Sequence, residues 1–433
     1  LANDSRFQLL ITPRSLAMAA FVMVIVILVD ALVPQMEMFA TGGHILIPPA
    51  VLKPILAAIL LPAVVWQPRS IRLTAFAAAW LALVIYLIVD ALYLMVHFHT
   101  SPVDVALAYN SYYAYFFVCP LAVFVADELN ELRATKILFW VFALCFMLGM
   151  AQFILQKPLV YLNSADGMFG VPSWQFGDEI RVFSLFTSGG SYGLFCNLIG
   201  ALSLAWIFFA KSIWRKVAFV VFVCSAIACY TTLTRNCYLQ FFFCSMTVLL
   251  LAKKKMAGLV KYSPFIFLIG SMLVAWRGTG SAGTAGDVTS NASLLMRLAQ
   301  WVYYATLYAN APLAQKILGL GIVQSDKASN DALFVIDNEF LAVLIHIGLI
   351  GLILFLAVQW LMWMRVYRRS IEFPTAFTIA MAAFSSTVFA ANFYNIATVP
   401  YCIVFVLAVI VQPTISRGLL SRRGQRVKAL SSA

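Results

Sequence analysis

Arg277-Gly-Thr-Gly-Ser-Ala-Gly-Thr-Ala-Gly286 opens a polar segment that continues to Ile336-Asp-Asn-Glu-Phe-Leu341. The chain on either side is strongly apolar. A Gly-rich run such as 277–286 is flexible by composition, and loops longer than about 12–15 residues are usually functional or disordered. Further on, a helical pattern runs from Asn291 to Asn310, followed by a turn through Pro312 and by Gly319-Leu-Gly321. This contrast decides the fold. Nearly all the rest reads as membrane-spanning helix, and the segment 277–341 reads as one that those helices hold over a site at the membrane surface.

Composition agrees. Of the 433 residues 63% are hydrophobic and 11% charged, and the mean hydropathy is +0.93. A soluble domain carries about 25% charged residues, so a polytopic membrane protein is expected. The formal charge of +12 does not point to nucleic acid, because the basic residues lie in short clusters between apolar spans and report topology. The first apolar segment, Ser15 to Val33, is long enough to span and has no small-residue cleavage site, so it reads as a retained helix. Cys119, Cys145, Cys196, Cys224, Cys229, Cys237, Cys244 and Cys402 all sit in apolar segments without CxxC or metal-ligand spacing. They read as small buried hydrophobes without disulfides. His97-Phe-His99 lacks further ligands nearby and reads as an interfacial loop, not a metal pair.

Crossing a bilayer takes about 20 mostly apolar residues. Segments that qualify run over 15–33, 49–66, 74–96, 110–126, 137–156, 183–210, 217–232, 236–252, 262–276, 338–361, 374–391 and 400–416. The expectation is an all-α protein of about 12 transmembrane helices, forming a single integral membrane domain over 1–433. With the N-terminus inside, most of the 29 Lys and Arg residues fall in the inside segments. The other side keeps Lys53, Lys157, Arg181, Arg235, Arg277, Arg297, Lys316 and Lys327. The positive-inside rule expects such a bias and puts both termini in the cytoplasm. Two long loops then face outward, 157–182 and 277–337, the second with its amphipathic helix. The inside loops are short, and no GxxxxGK[ST] occurs. That argues against an ATPase or a transferase with a cytoplasmic nucleotide-sugar domain.

Few residues on the outer side can carry chemistry. Arg181 precedes a helix rich in small residues between Ser188 and Gly193; it anchors a helix end by snorkelling or binds a ligand that approaches backbone there. Arg235, in Thr232-Leu-Thr-Arg-Asn-Cys-Tyr238, sits where two spans meet with almost no loop. An ionisable group at that depth is costly and points to a functional partner, against the plainer role of a turn Arg. Arg297 lies on the amphipathic stretch with Leu294, Leu298, Trp301 and Tyr308 on its apolar side. It faces lipid head groups or supplies a phosphate ligand from a lid. Asp337 and Glu339 begin a span, where a carboxylate caps the helix or serves as a general base. Arg forks and one well-placed carboxylate suit transfer from a pyrophosphate leaving group.

The order of these motifs carries a resemblance. Arg181-x-Phe-Ser before a Gly-rich helix, Thr-Leu-Thr-Arg235-Asn, Arg297-xxx-Trp301, Pro312, Ile317-Leu-Gly-Leu-Gly321, and Asp337-Asn-Glu-Phe-Leu341 running into Gly348-Leu-Ile-Gly351 resemble the central helices of the O-antigen ligase and Wzy-type polymerase superfamily. The likeness covers about residues 181–351. It implies a GT-C-like glycosyltransferase of the bacterial inner membrane, acting at the periplasmic face on undecaprenyl-pyrophosphate-linked oligosaccharides as donor and acceptor, with no nucleotide sugar and no essential metal or cofactor. The family's Arg after the Ser/Thr pattern falls on Arg235 and its loop Arg on Arg297. Where ligases show His-Asn-x-Tyr-Leu, this chain has Asp337-Asn-Glu-Phe-Leu341, which is more like the polymerases; His346 is out of register with that histidine. Polymerisation of repeat units into an exopolysaccharide, of the xanthan kind, is therefore expected over ligation to lipid A core. A flippase and a chain-length co-polymerase would be the protein partners.

On this reading Arg181, Arg235 and Arg297 hold the pyrophosphate. Asp337, with Glu339 as second choice, takes the proton of an attacking sugar hydroxyl, and direct displacement inverts the anomeric centre. Trp301, Tyr304 and Asn338 are candidate glycan contacts, although aromatics at this depth also anchor helices at the interface. Two alternatives stand beside it: ligase-type transfer to another acceptor, and a 12-helix transporter or lipid-linked-sugar flippase. A carrier is expected to show two similar halves with corresponding broken helices, and no internal repeat is evident.

Overall fold

The computed structural model describes residues 36, 40–41, 75–109, 113, 131–159, 175–176, 179–186, 188–210, 213–253, 257–280, 288–322 and 338–392. The expected spans 15–33, 49–66 and 400–416 lie outside the described residues, as does 110–126 apart from Tyr113. The helices are α1 (Ala75–His97), α2 (Glu131–Leu155), α3 (Gly189–Phe209), α4 (Ile213–Thr231), α5 (Arg235–Ala252), α6 (Ser263–Gly280), α7 (Val288–Asn310), α8 (Leu313–Leu318), α9 (Glu339–Glu372) and α10 (Ala376–Asn392). A two-residue antiparallel hairpin, Gln175–Phe176 with Glu179–Ile180, interrupts them. Among the described residues α1 to α5 and α9 are long and apolar enough to cross a membrane. The described residues are mostly helical, and the protein is a membrane protein of the all-α class.

The outward faces of these helices show why. In α1, Leu83, Leu87 and Leu94 are buried, while Ile85, Ile88, Val89, Leu92 and Val96 are exposed. A helix apolar on every side has lipid for a neighbour where protein does not cover it. At the centre stands α3, buried along most of its length and packed against α2, α4, α5 and α10. Its glycines allow this. A methyl group at Gly193 would lie 2.3 Å from Cys237 Sγ, and one at Gly200 would lie 2.5 Å from the Phe241 ring. Small residues let helices approach closely where no hydrophobic effect drives them together. Polar side chains join the same helices: Asn197 Nδ2 donates to Gln240 Oε1 at 3.3 Å, and Cys229 Sγ to Asn197 Oδ1 at 3.6 Å.

The span expected over 183–210 becomes helical only at Gly189. Before it, Ser184 takes φ 53° in a bend that Gln152 of α2 holds together. Gln152 Oε1 accepts from the Ser184 amide at 2.8 Å, its Nε2 donates to Ser184 O at 3.2 Å, and Ser184 Oγ donates to Cys145 O at 2.6 Å. One side chain thus replaces the backbone ladder that a continuing helix would supply.

Helix α9 is two helices. Gly348 has φ 68° and ψ −171°, so the ladder breaks after nine residues and the last carbonyls of the first half need other donors. They find them on the segment after α8: Leu320 N–H donates to Ile345 O at 2.8 Å and Gly321 N–H to His346 O at 3.1 Å. From α1, Tyr86 Oη donates to Ile347 O at 2.8 Å. The approach is backbone on backbone. A Cβ on Gly319 would lie 2.3 Å from His346 O, and one on Gly348 2.3 Å from Ile317 O. Residues 317–321 therefore reach into the helical layer, alongside Tyr86 and Leu94 of α1.

The contacts also show which helix ends share a face. Lys136 of α2 lies 4.7 Å over the Trp214 ring at the start of α4. Trp363, late in α9, donates to Lys261 O ahead of α6 at 3.0 Å. Lys253 closes α5 close by in the chain, so one face gathers Lys136, Lys253, Lys261 and Arg369. The opposite ends of these helices, with Leu155, Gly189, Arg235 and Glu339, form the other face.

Candidate functional site

On that second face the N-termini of α3 and α5 converge. Ser188 caps α3 by accepting from the Ser191 amide at 3.1 Å, and Gly189 follows it. A Cβ on Gly189 would stand 3.2 Å from Thr232 O, in the turn leading to α5. Cys237 Sγ donates to Gly190 O at 3.6 Å. The turn 231–234 is tight, with Leu233 at φ 49° and the Thr231 and Thr232 hydroxyls turned back onto Ala228 O and Cys229 O. Thr234 at the N-cap of α5 makes no side-chain cap, because its hydroxyl donates to Thr232 O at 3.0 Å. The Cys237 amide donates to Thr234 O at 2.9 Å, and the Arg235 and Asn236 amides ahead of it lie in the positive end of the helix dipole.

Two arginines border this point. Val182 N–H donates to Thr231 O at 3.1 Å, which pins Arg181, the preceding residue, against the α4–α5 turn. Arg181 is half-buried and within electrostatic reach of the Tyr238 hydroxyl. Arg235 is the first residue of α5 and exposed. Tyr238 stacks on Tyr230, with ring centroids 6.0 Å apart, and donates to Tyr230 O at 2.7 Å. Arg181 and Arg235, distant in sequence, thus stand on one turn beside two helix N-termini. That combination favours an anion.

A second polar group lies at the head of α9. Asn338 is its N-cap, and Oδ1 accepts from the Leu341 amide at 3.1 Å. That oxygen, in a residue read as a glycan contact, is committed to the cap. Glu339 follows, 3% exposed, and its Oε2 has no hydrogen-bond partner. Asp337, the first choice for a base, lies outside the described residues. Arg297 lies within α7. Trp301 is half-buried. Tyr304 is fully buried against Ala342 and Ile345 of α9 and meets Tyr303 edge-on at 5.1 Å. One turn on, Tyr308 Oη donates to Lys316 O at 2.8 Å, and burial pushes this hydroxyl above the usual tyrosine range.

The structure therefore groups the expected residues in two sets. Arg181 and Arg235 flank one turn at the α3/α4/α5 end, and Glu339, Asn338 and Tyr304 lie on the pair α7 and α9, which pack together. Helix α10 packs against α3, α5 and α9 and ties the two together. Residues not singled out from sequence hold these sets in place: Gln152 at the Ser184 bend, and Tyr86 at the α9 break. Asp90, one turn from Tyr86, is buried and accepts from Tyr109 Oη. A polar residue inside an apolar span was the available signal for all three, since it must find a partner or do work. Among the described residues no group of three or more His, Cys, Asp and Glu could hold a metal ion. Comparison with protein-family models and with curated proteins finds no match to this chain.

Proposed function

We propose that the protein is a membrane glycosyltransferase that joins undecaprenyl-pyrophosphate-linked repeat units into an exopolysaccharide. The observation that carries the reading is the meeting of Arg181 and Arg235 with the N-termini of α3 and α5. Guanidinium groups bind phosphate oxygens through paired N–H donors, and the positive end of the α5 dipole adds to the same field. A diphosphate leaving group held there departs with its charge already compensated, which is where electrostatic catalysis acts. The donor's own phosphoglycosyl bond supplies the driving force. Deprotonation of the acceptor falls to the Asp337-Asn-Glu339 stretch, and Arg297 on α7 is the third phosphate ligand. The face bearing Arg181 and Arg235 would be periplasmic, since the opposite face gathers the lysines. The motif order shared with the O-antigen ligase and Wzy-type superfamily supports the same assignment.

Transport is the second reading, and the broken helix α9 favours it, because carriers place such breaks at their binding sites. Intermediates that accumulate in a strain lacking the protein distinguish the readings. Lost polymerisation leaves single lipid-linked repeat units outside, failed transport leaves them inside, and lost ligation leaves finished polymer on its carrier lipid. In complementation, Arg235→Ala is expected to reduce polymer yield by about 10- to 100-fold, as loss of a charged hydrogen bond worth about 1.5–3 kcal/mol requires. Arg235→Lys should recover only part of it. Full polymer length with Arg235→Ala would show the arrangement to be wrong.

A further inference from the structure

We propose that Gln300 of α7 and Glu339 of α9 form a subsite for sugar hydroxyl groups, apart from the diphosphate-binding pair Arg181 and Arg235. It rests on the glycosyl-transfer reading above and adds to it the place where a glycan is recognised.

Both side chains are enclosed: Glu339 is 3% exposed and Gln300 4%. Glu339 Oε2 and Gln300 Oε1 have no hydrogen-bond partner. Buried polar atoms are nearly always satisfied, and those that are not call for an explanation. Here two of them occur on helices that pack together.

The register of that packing brings them level. Tyr304 is seated on Ala342 and Ile345. One turn further along α7, Tyr308 Oη donates to Lys316 O, and the next carbonyl, Ile317 O, abuts Gly348. Moving from 304 to 308 on α7 therefore follows α9 from 342 towards 348. One turn back from Tyr304 places Gln300 beside the head of α9, at Asn338 and Glu339. Positions 300 and 304 share a helix face, as do 339 and 342, so both acceptors belong to the interface that Tyr304 fills.

The chemistry of the pair selects its ligand. Two acceptor oxygens need donors, and neither side chain brings the positive charge with which phosphate pairs. A hard cation takes six or more oxygens, whereas this site offers two. A sugar presents several hydroxyl donors without net charge, and the half-buried Tyr303, one turn from Gln300, offers a ring for sugars to pack on. The apolar contact holding α7 to α9 is small, Tyr304 with Ala342 and Ile345 and a few half-buried neighbours. A ring entering between the helices has few side chains to displace.

The test uses the full chain in lipid nanodiscs and two probes: undecaprenyl pyrophosphate, and undecaprenyl-pyrophosphate-linked oligosaccharide extracted from a strain lacking the protein. Wild type should bind the sugar-bearing lipid more tightly than the sugar-free one. Gln300→Leu and Glu339→Gln should each lose about tenfold of that preference while binding undecaprenyl pyrophosphate as wild type does. Gln300→Leu removes an unpaired buried oxygen, so its thermal stability should equal or exceed wild type; Gln300→Met carries the same test if leucine fits badly. Retention of the full sugar preference in both Gln300 variants overturns the subsite. Unchanged binding of sugar-free lipid by Arg235→Ala overturns the diphosphate site instead, and leaves the subsite standing if Gln300→Leu still loses the sugar preference.

Discussion

Gly319 and Gly348 face each other across a gap that admits no side chain. Their φ angles are +101° and +68°, in the region where a Cβ is costly, and any Cβ would meet backbone at 2.3 Å. Backbone cannot swing aside as a flexible side chain can. Gly348→Ala and Gly319→Ala should therefore each destabilise by at least about 1–3 kcal/mol, read as a lower melting temperature in detergent. The double variant should cost less than the sum, because the two glycines relieve one contact. The Gly319-Leu-Gly321 and Gly348-Leu-Ile-Gly351 motifs stand out in the sequence, but their mutual approach does not, since nothing in either motif names its partner. Gln152 is the opposite case. It is one polar residue in an apolar run, and its role as a substitute for helix hydrogen bonds at Ser184 is set by α2 lying against residues 180–186.

At the level of elements, the break in α9 and the segment after α8 are one structure. The first half, Glu339 to Ile347, would end in unpaired carbonyls without Leu320, Gly321 and Tyr86. Tyr86→Phe removes one of these donors and leaves Ile347 O inside the protein, so a loss of about 0.5–1.5 kcal/mol is expected. Faster amide hydrogen exchange at Leu320 and Gly321 should accompany it, whereas a Tyr86 that merely filled space would leave both amides protected. The hydropathy pattern locates α9 well, because the apolar run from Phe340 to Met364 holds no Lys, Arg, Asp or Glu and leaves little choice. It extends past the expected end at 361 to Glu372, where Arg365, Arg368 and Arg369 continue the helix on the basic face. The pattern does not reveal the break, since glycine is common in membrane helices.

For the molecule as a whole, the two faces make a sidedness prediction. In sealed, uniformly oriented vesicles, Ser188→Cys should react with a membrane-impermeant maleimide from one side only, and Lys253→Cys from the other; both positions are exposed. The native cysteines in the described residues are buried or half-buried and should contribute little background. Labelling of both variants from the same side would contradict the placement of the α3 N-terminus and the α5 C-terminus on opposite faces. The charge bias legible in the chain, lysines gathered between some spans and scarce between others, matches the face that holds Lys136, Lys253 and Lys261.

Fold class came from composition and hydropathy alone, for a physical reason: a bilayer demands long apolar helices, and that demand is written along the chain one residue after another. Arg235 was likewise visible as a charge at a costly position, and Arg181 and Glu339 as charges at helix ends. Which of them meet was decided only by tertiary structure. Arg181 comes to the turn ahead of Arg235 because an amide at 182 bonds a carbonyl at 231, and α9 breaks at Gly348 where the Gly319–Gly321 turn meets it. Contacts between residues so far apart depend on the fit of glycine to backbone and of donor to freed carbonyl, and such fit exists only once the helices are assembled.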